Sequence, residues 1–189
     1  GADRKENFRL SLRIPHGSGA KITVCGESCP AADGITDIVR DWENGDTVSV
    51  EFDMSVRLVP APVYETTVIH NIDWATGGTI PTEEHQTADA RRRICLLSGP
   101  IVLAAERGLT KDDIRQPFAP VRGADGRIVS RLITTPGYRK TLVIPDAVSG
   151  ETVLCDYSSA GRSWSRETEF GAWLPVSGEY IASLHIEGR

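Results

Sequence analysis

An all-β fold of antiparallel sheets, sandwich or jelly-roll-like, is what this 189-residue chain predicts. Three observations carry the prediction. Apolar residues recur with a period of two along most of the chain, which keeps them on one face of a strand and would scatter them around a helix. The strand-like segments are short and follow one another at intervals of about ten residues. Glycine- and proline-rich turns separate them. The sheets form either one unit or two parts, residues 1–106 and 107–189.

The first segment, "FRLSLRIP", puts Phe8, Leu10, Leu12 and Ile14 on one face, with Arg9, Ser11 and Arg13 on the other. Pro15 ends it, "HGSG" makes a loop, and "AKITV" alternates again. Asn44-Gly45-Asp46 is a turn signal. After it Val48, Val50, Phe52, Met54, Val56 and Leu58 predict one long strand face. From residue 59 to 90 the chain is rich in Pro, Thr, Gly and acids; "YETTVIHNI" predicts an edge strand and the remainder a long connection. "ICLLSGPIVLAAE" is almost wholly apolar, but Ser98-Gly99-Pro100 breaks any helix through it. Its halves predict two core strands, or one strand sharply bent. "LTKDDIRQPF" predicts a short helical turn capped by Thr110. "GRIVSRLITT", "RKTLVIP", "ETVLCDY", "EFGAWLP" and "EYIASLHIEG" complete the strand series, the last with Tyr180, Ala182, Leu184 and Ile186 on one face.

Composition narrows the function. Hydrophobic content of 40% and charged content of 25% are ordinary for a globular protein. A net charge of −5 does not suit phosphate neutralisation, so no nucleic-acid partner is expected. No apolar run reaches the ~18–20 residues of a membrane helix, so no membrane partner is expected. The chain begins with Gly1 and holds a single methionine, Met54, so it reads as an excised piece of something longer.

The order of several segments is distinctive: "RLSLRIPHGSGAKITVCGE", then "GITDIVRDWENGDTVSVEFDMSVRL", then "RRRICLLSGPIVLAAE", and last "CDYSSAGRSWSRETEFGAWLP". In this order the chain resembles the region that follows the catalytic domain in bacterial glycoside hydrolase family 127, the β-L-arabinofuranosidase-like proteins. It departs from the pattern at Ser98, where Arg is usual before Gly-Pro. The resemblance implies a non-catalytic accessory β-sandwich region. The chemistry, with its zinc-bound cysteine nucleophile, would lie in a preceding (α/α)6 barrel absent from this sequence. That missing barrel is the implied partner, with a homodimer or a polysaccharide as further partners and a secreted or periplasmic location. No catalytic residue, metal ligand or cofactor is carried over.

The residues themselves offer weaker candidates. "CGESC" brings Cys25 and Cys29 close in sequence; a disulfide across that loop is one reading, free thiols another, and a metal site falls short of the ligands zinc needs. Cys95 and Cys155, isolated within strand patterns, read as buried fillers. Glu83, Glu84 and His85 read as a solvated polar loop rather than an acid/base site. Asp41, Asp46, Asp53, Asp146 and Asp156 lie at strand ends or turns, where turn formation explains them. Arg91 to Arg93 read as an exposed strand start, or as a cluster facing the missing barrel. The resemblance implies that Trp42 is a core residue, and Trp173, in "AWLP", reads as buried too. For a carbohydrate-binding module, the rival function, the exposed platform would be Trp74 with Tyr64, and Trp164. A small independent glycosidase, needing two carboxylates across a cleft, is the second alternative.

Overall fold

A computed structural model describes residues 5–62, 66–85, 92–110, 113–162 and 168–186. It is built of antiparallel sheets, as the alternation predicts, and divides into two units. The first comprises Gly1–Arg57 with Leu97–Ile101, the second Leu58–Leu96 with Val102–Arg189.

The first unit holds β1 (Glu6–Ile14), β2 (Lys21–Val24), β3 (Glu27–Cys29), β4 (Gly34–Trp42) and β5 (Val48–Glu51). β1 pairs with β4 along its whole length, from Glu6 opposite Trp42 to Ile14 opposite Gly34. β2 lies between β3 and β5 in a separate three-stranded sheet. Ile14, Ile38 and Trp42 from the first sheet meet Ile22 and Val24 from the other in one buried core. Each fully buried aliphatic side chain contributes about 1.5–3 kcal/mol there. Trp42 is core, as expected: its indole N–H donates to the Phe8 carbonyl at 3.1 Å, and its ring stacks on Phe8 at 5.4 Å.

The alternation read from Val48 to Leu58 as one strand is interrupted. β5 ends at Glu51, and β6 (Val56–Pro60) begins a new strand. Between them the Asp53 carboxylate accepts the Ser55 amide at 2.9 Å, and the Asp53 amide donates to the Ser18 carbonyl at 2.9 Å. An aspartate turn of this kind competes with the ladder for the backbone, and Phe52 and Met54 are left exposed.

The second unit is dominated by an eight-stranded sheet. β7 (Thr66–Ile72) and β8 (Thr79–His85) form a separate two-stranded hairpin. β8 corrects the long connection expected after Ile72. Glu83, Glu84 and His85 pair opposite Val68, Thr67 and Thr66 instead of clustering in a loop. β9 (Arg93–Ser98) and β10 (Ile101–Glu106) are neighbouring strands joined through Gly99-Pro100, so the apolar segment is two core strands. Then follow β11 (Arg131–Ile133), β12 (Thr141–Asp146), β13 (Gly150–Asp156), β14 (Phe170–Gly171) and β15 (Leu174–Pro175). The strand order is β11-β12-β13-β10-β9-β15, with β14 on β10 and β6 on β9. Ala105 of β10 pairs with Leu154 on one neighbour and Gly171 on another, so residue 107 lies inside this unit.

Two further expectations fail here. "EYIASLHI" lies in a helix, α1 (Gly178–Ile186), not a strand. The Ser177 hydroxyl accepts the Tyr180 amide at 3.1 Å, and its carbonyl accepts the Ile181 amide, which is an N-cap. Tyr180, Ile181 and Leu184 are half-buried while Ala182 and Ser183 are exposed, the stripe of a helix. The segment after Thr110 forms a turn, organised by Asp113, whose carboxylate accepts the Arg115 amide at 3.0 Å. Thr110 does not cap it: its hydroxyl is buried without a hydrogen-bond partner. Lys111 and Asp112 lie outside the described residues.

Candidate cleft around Trp173

In the second unit, β14 and β15 leave a two-residue bend at Ala172-Trp173 between their pairings to β10 and β9. That bend turns Trp173 outward. It is 42% exposed, where the sequence predicts a buried residue. Its carbonyl accepts Arg93 Nη1 at 3.2 Å. Trp173 borders a cleft of about 580 Å³ together with Arg92, Arg93, Arg115, Glu169 and Phe170.

The charges around the cleft are unequal. Arg115 Nε and Nη2 both lie 2.7 Å from Glu169 Oε1, and this pairing raises the already high Arg115 pKa. The Glu169 backbone is fixed by the Arg107 amide at 2.8 Å. Phe170 is turned edge-on to Tyr157, their centroids 6.1 Å apart. The guanidinium of Arg92 lies over Gly178, within 3.8 Å of where a Cβ would stand, and Arg92 has no ion-pair partner among the described residues.

The other candidates separate. Trp74 is 87% exposed at the tip of the β7–β8 hairpin. The tip is organised by Asp73, whose carboxylate accepts from the Thr76 hydroxyl and the Ala75 amide; these bonds hold its pKa below the usual value. No other aromatic stacks on Trp74 among the described residues. Tyr64, Trp164 and Arg91 lie outside the described residues.

The cysteines are all free. Cys25 and Gly26, at φ of 49° and 86°, form the two-residue turn between β2 and β3, and Cys29 sits opposite Ile22, further down the hairpin. The Cys25 thiol instead donates to Asp46 Oδ1 at 3.1 Å. Cys95 and Cys155 are buried fillers as expected, and burial pushes the Cys155 thiol up to about 12, with Glu106 and Asp156 adding to the effect.

The buried carboxylates Asp146, Asp156 and Glu106 are held by hydrogen bonds. Asp146 accepts the amides of Ala119 and Val148 and the hydroxyls of Ser149 and Thr152. Asp156 accepts the Lys140 amide and the hydroxyls of Ser158 and Ser159. Glu106 accepts the Tyr138 hydroxyl at 3.1 Å. Among the described residues no group of three or more His, Cys, Asp or Glu side chains is placed to hold a metal. Among them, too, no helix is long and apolar enough to cross a membrane.

Residues 1–54 match the family model described as "Beta-L-arabinofuranosidase, GH127 middle domain". The resemblance to glycoside hydrolase family 127 is present. The matched stretch contains all five strands of the first unit. Solved structures extend the likeness to nearly the whole chain. The family 127 β-arabinofuranosidase BT3674 aligns with a TM-score of 0.57 at 17% identity, over 93% of this chain and 29% of that one. A protein described as a glycoside hydrolase gives 0.58 at 20% identity, over 90% and 28%. Ara127N, a family 127 β-L-arabinofuranosidase from Geobacillus stearothermophilus T6, gives 0.54 at 19% identity, over 93% and 27%. These likenesses concern the fold. The chain spans less than a third of the length of each of these proteins. No curated protein matches it in sequence.

Proposed function

We propose that this chain is a non-catalytic accessory β region of a longer family 127-type polypeptide, in which it supports the catalytic barrel and makes domain or subunit contacts. The observation that carries the reading is the lopsided coverage: 93% of this chain corresponds to 29% of a family 127 β-arabinofuranosidase. The carboxylates support it. A glycosidase holds two of them free across a cleft, whereas Asp146 and Asp156 are occupied by backbone amides and hydroxyls. Among the described residues the Trp173 cleft holds one carboxylate, Glu169, which is paired to Arg115. A secreted or periplasmic location belongs to the same reading. Carbohydrate binding is the second reading, and the cleft beside the half-exposed Trp173 favours it.

The test compares this chain with the longer polypeptide encoded around it, using a p-nitrophenyl β-L-arabinofuranoside as substrate. Only the longer polypeptide is expected to release nitrophenol. Turnover by this chain alone, abolished by a single carboxylate substitution, overturns the reading.

A further inference from the structure

We propose that the Trp173 cleft is a binding site for an acidic saccharide, with the indole stacking on a sugar ring and the Arg92 guanidinium receiving the ring's carboxylate. The cleft, at about 580 Å³, is of the size that takes a small ligand. Its charge is opposite to that of the chain. Among the described residues three arginines and one glutamate line it, in a protein whose net charge is −5. Glu169 neutralises Arg115, and one nitrogen of Arg93 is occupied by the Trp173 carbonyl. Neither Arg92 nor Arg93 has a carboxylate partner among the described residues, and of the two only Arg92 also makes no side-chain hydrogen bond among them. A guanidinium in that state is a bidentate carboxylate receptor, and the local positive potential draws anions from a protein that otherwise repels them.

The indole selects among carboxylates. Trp173 presents a flat apolar surface at the cleft wall, and the C–H face of a pyranose ring covers such a surface. A neutral sugar uses the indole and leaves the guanidinium without a counter-ion. An acidic peptide uses the guanidinium and brings no flat ring to the indole. A uronic acid residue carries both features on one ring. The inference rests on the accessory reading above only in preferring a saccharide to other flat carboxylates.

Titration calorimetry with the full chain tests it, using tetragalacturonate, its methyl ester, a neutral arabino-oligosaccharide and a tetraglutamate peptide as probes. Tetragalacturonate is expected to bind, with the ester and the neutral sugar about tenfold weaker or more, a difference typical of one lost charge-assisted contact. Arg92→Gln is expected to remove most of that preference for the acid over its ester. Trp173→Ala is expected to weaken every sugar alike, and Trp173→Phe to retain part of the affinity, which keeps the test open if the alanine variant does not fold. Three results overturn the proposal: no binding of tetragalacturonate to the folded chain, equal affinity for acid and ester, or tetraglutamate binding as tightly as the sugar. The last assigns the cleft to an acidic peptide. None of these bears on hydrolysis by the longer polypeptide, so failure here is distinguishable from failure of the accessory reading.

Discussion

At the scale of single residues, Asp146, which the sequence assigns to a turn, is a buried carboxylate held by its hydrogen bonds. It is buried at the end of β12 and accepts from two amides and two hydroxyls. Burial opposes its ionisation, but the four hydrogen bonds outweigh that cost and hold its pKa below the usual carboxylate value. The folded state therefore binds its proton less readily than the unfolded chain. The stabilisation is complete above the unfolded value of about 3.9 and is withdrawn as the pH falls through the lower folded value. Asp146→Asn replaces an acceptor oxygen by a donor facing amide or hydroxyl donors. We expect a loss of about 1–3 kcal/mol near neutral pH, read as a fall of roughly 2–10 °C in melting temperature. The gap between variant and wild type should begin to narrow below about pH 4 and close as the pH passes under the lower folded value. A gap that persists unchanged in acid would place the stabilisation in packing rather than in the charge.

At the scale of elements, the strands of the first unit were legible because its two sheets bury one face and expose the other. β4 keeps a strict inside–outside alternation and β1 does so from Leu10 to Ile14, whereas Phe8, expected on the inner face, is 47% exposed near the start of β1. The same rule misread α1, since Tyr180 and Leu184 lie both two alternations apart and one helical turn apart; nine residues are too few for periodicity to decide. The deciding signal was local, Ser177 followed by Gly178-Glu179, a helix cap with an acid in the first turn. The cleft was less legible still. Trp173 sits in an apolar run, and only the bend between β14 and β15, a product of pairing distant in sequence, turns it outward. Trp74, by contrast, was recognisable as exposed from its polar surroundings, but nothing in the sequence reveals whether another ring stands beside it. The turn between β9 and β10 shows what the Gly-Pro break is for. Gly99 has φ of +56°, and a Cβ there would stand 2.6 Å from Met54 Sδ and 3.0 Å from the Asp53 carbonyl oxygen. The thioether can swing aside, since Met54 is partly exposed; the Asp53 backbone cannot. Gly99→Ala is expected to cost about 2 kcal/mol or more, the left-handed backbone alone accounting for about 1 to 2. Denaturant unfolding of Gly99→Ala in a Met54→Ala background should recover little of that loss. Full recovery would identify the sulfur, not the backbone, as the obstacle.

At the scale of the whole molecule, no single cut in the chain separates the two units. The path leaves the first at Arg57, returns for Leu97–Ile101 and leaves again at Val102. The first unit nevertheless holds a complete set of parts in its opening stretch. Its five strands and every residue of its buried cluster lie before residue 52. The later return adds the Ser98 hydroxyl on the Met54 carbonyl at 2.7 Å and the Gly99 amide on the Ser55 carbonyl. A fragment of residues 1–57 is therefore expected to fold, marginally for its size, with a near-ultraviolet circular dichroism signal from Trp42 that disappears cooperatively on heating. A fragment of residues 1–106, although longer, should behave worse. It ends β10 without β13 or β14 and uncovers Leu103, Ala104 and Ala105, which are buried in the intact chain. An apolar strand with an open edge is an aggregation template, so sedimentation should find the longer fragment in large particles while the shorter one stays dispersed. A soluble, cooperatively folded 1–106 would mean that β9 and β10 find sufficient cover without the strands that follow them, and the division of the chain would then lie near residue 107, as its sequence suggests.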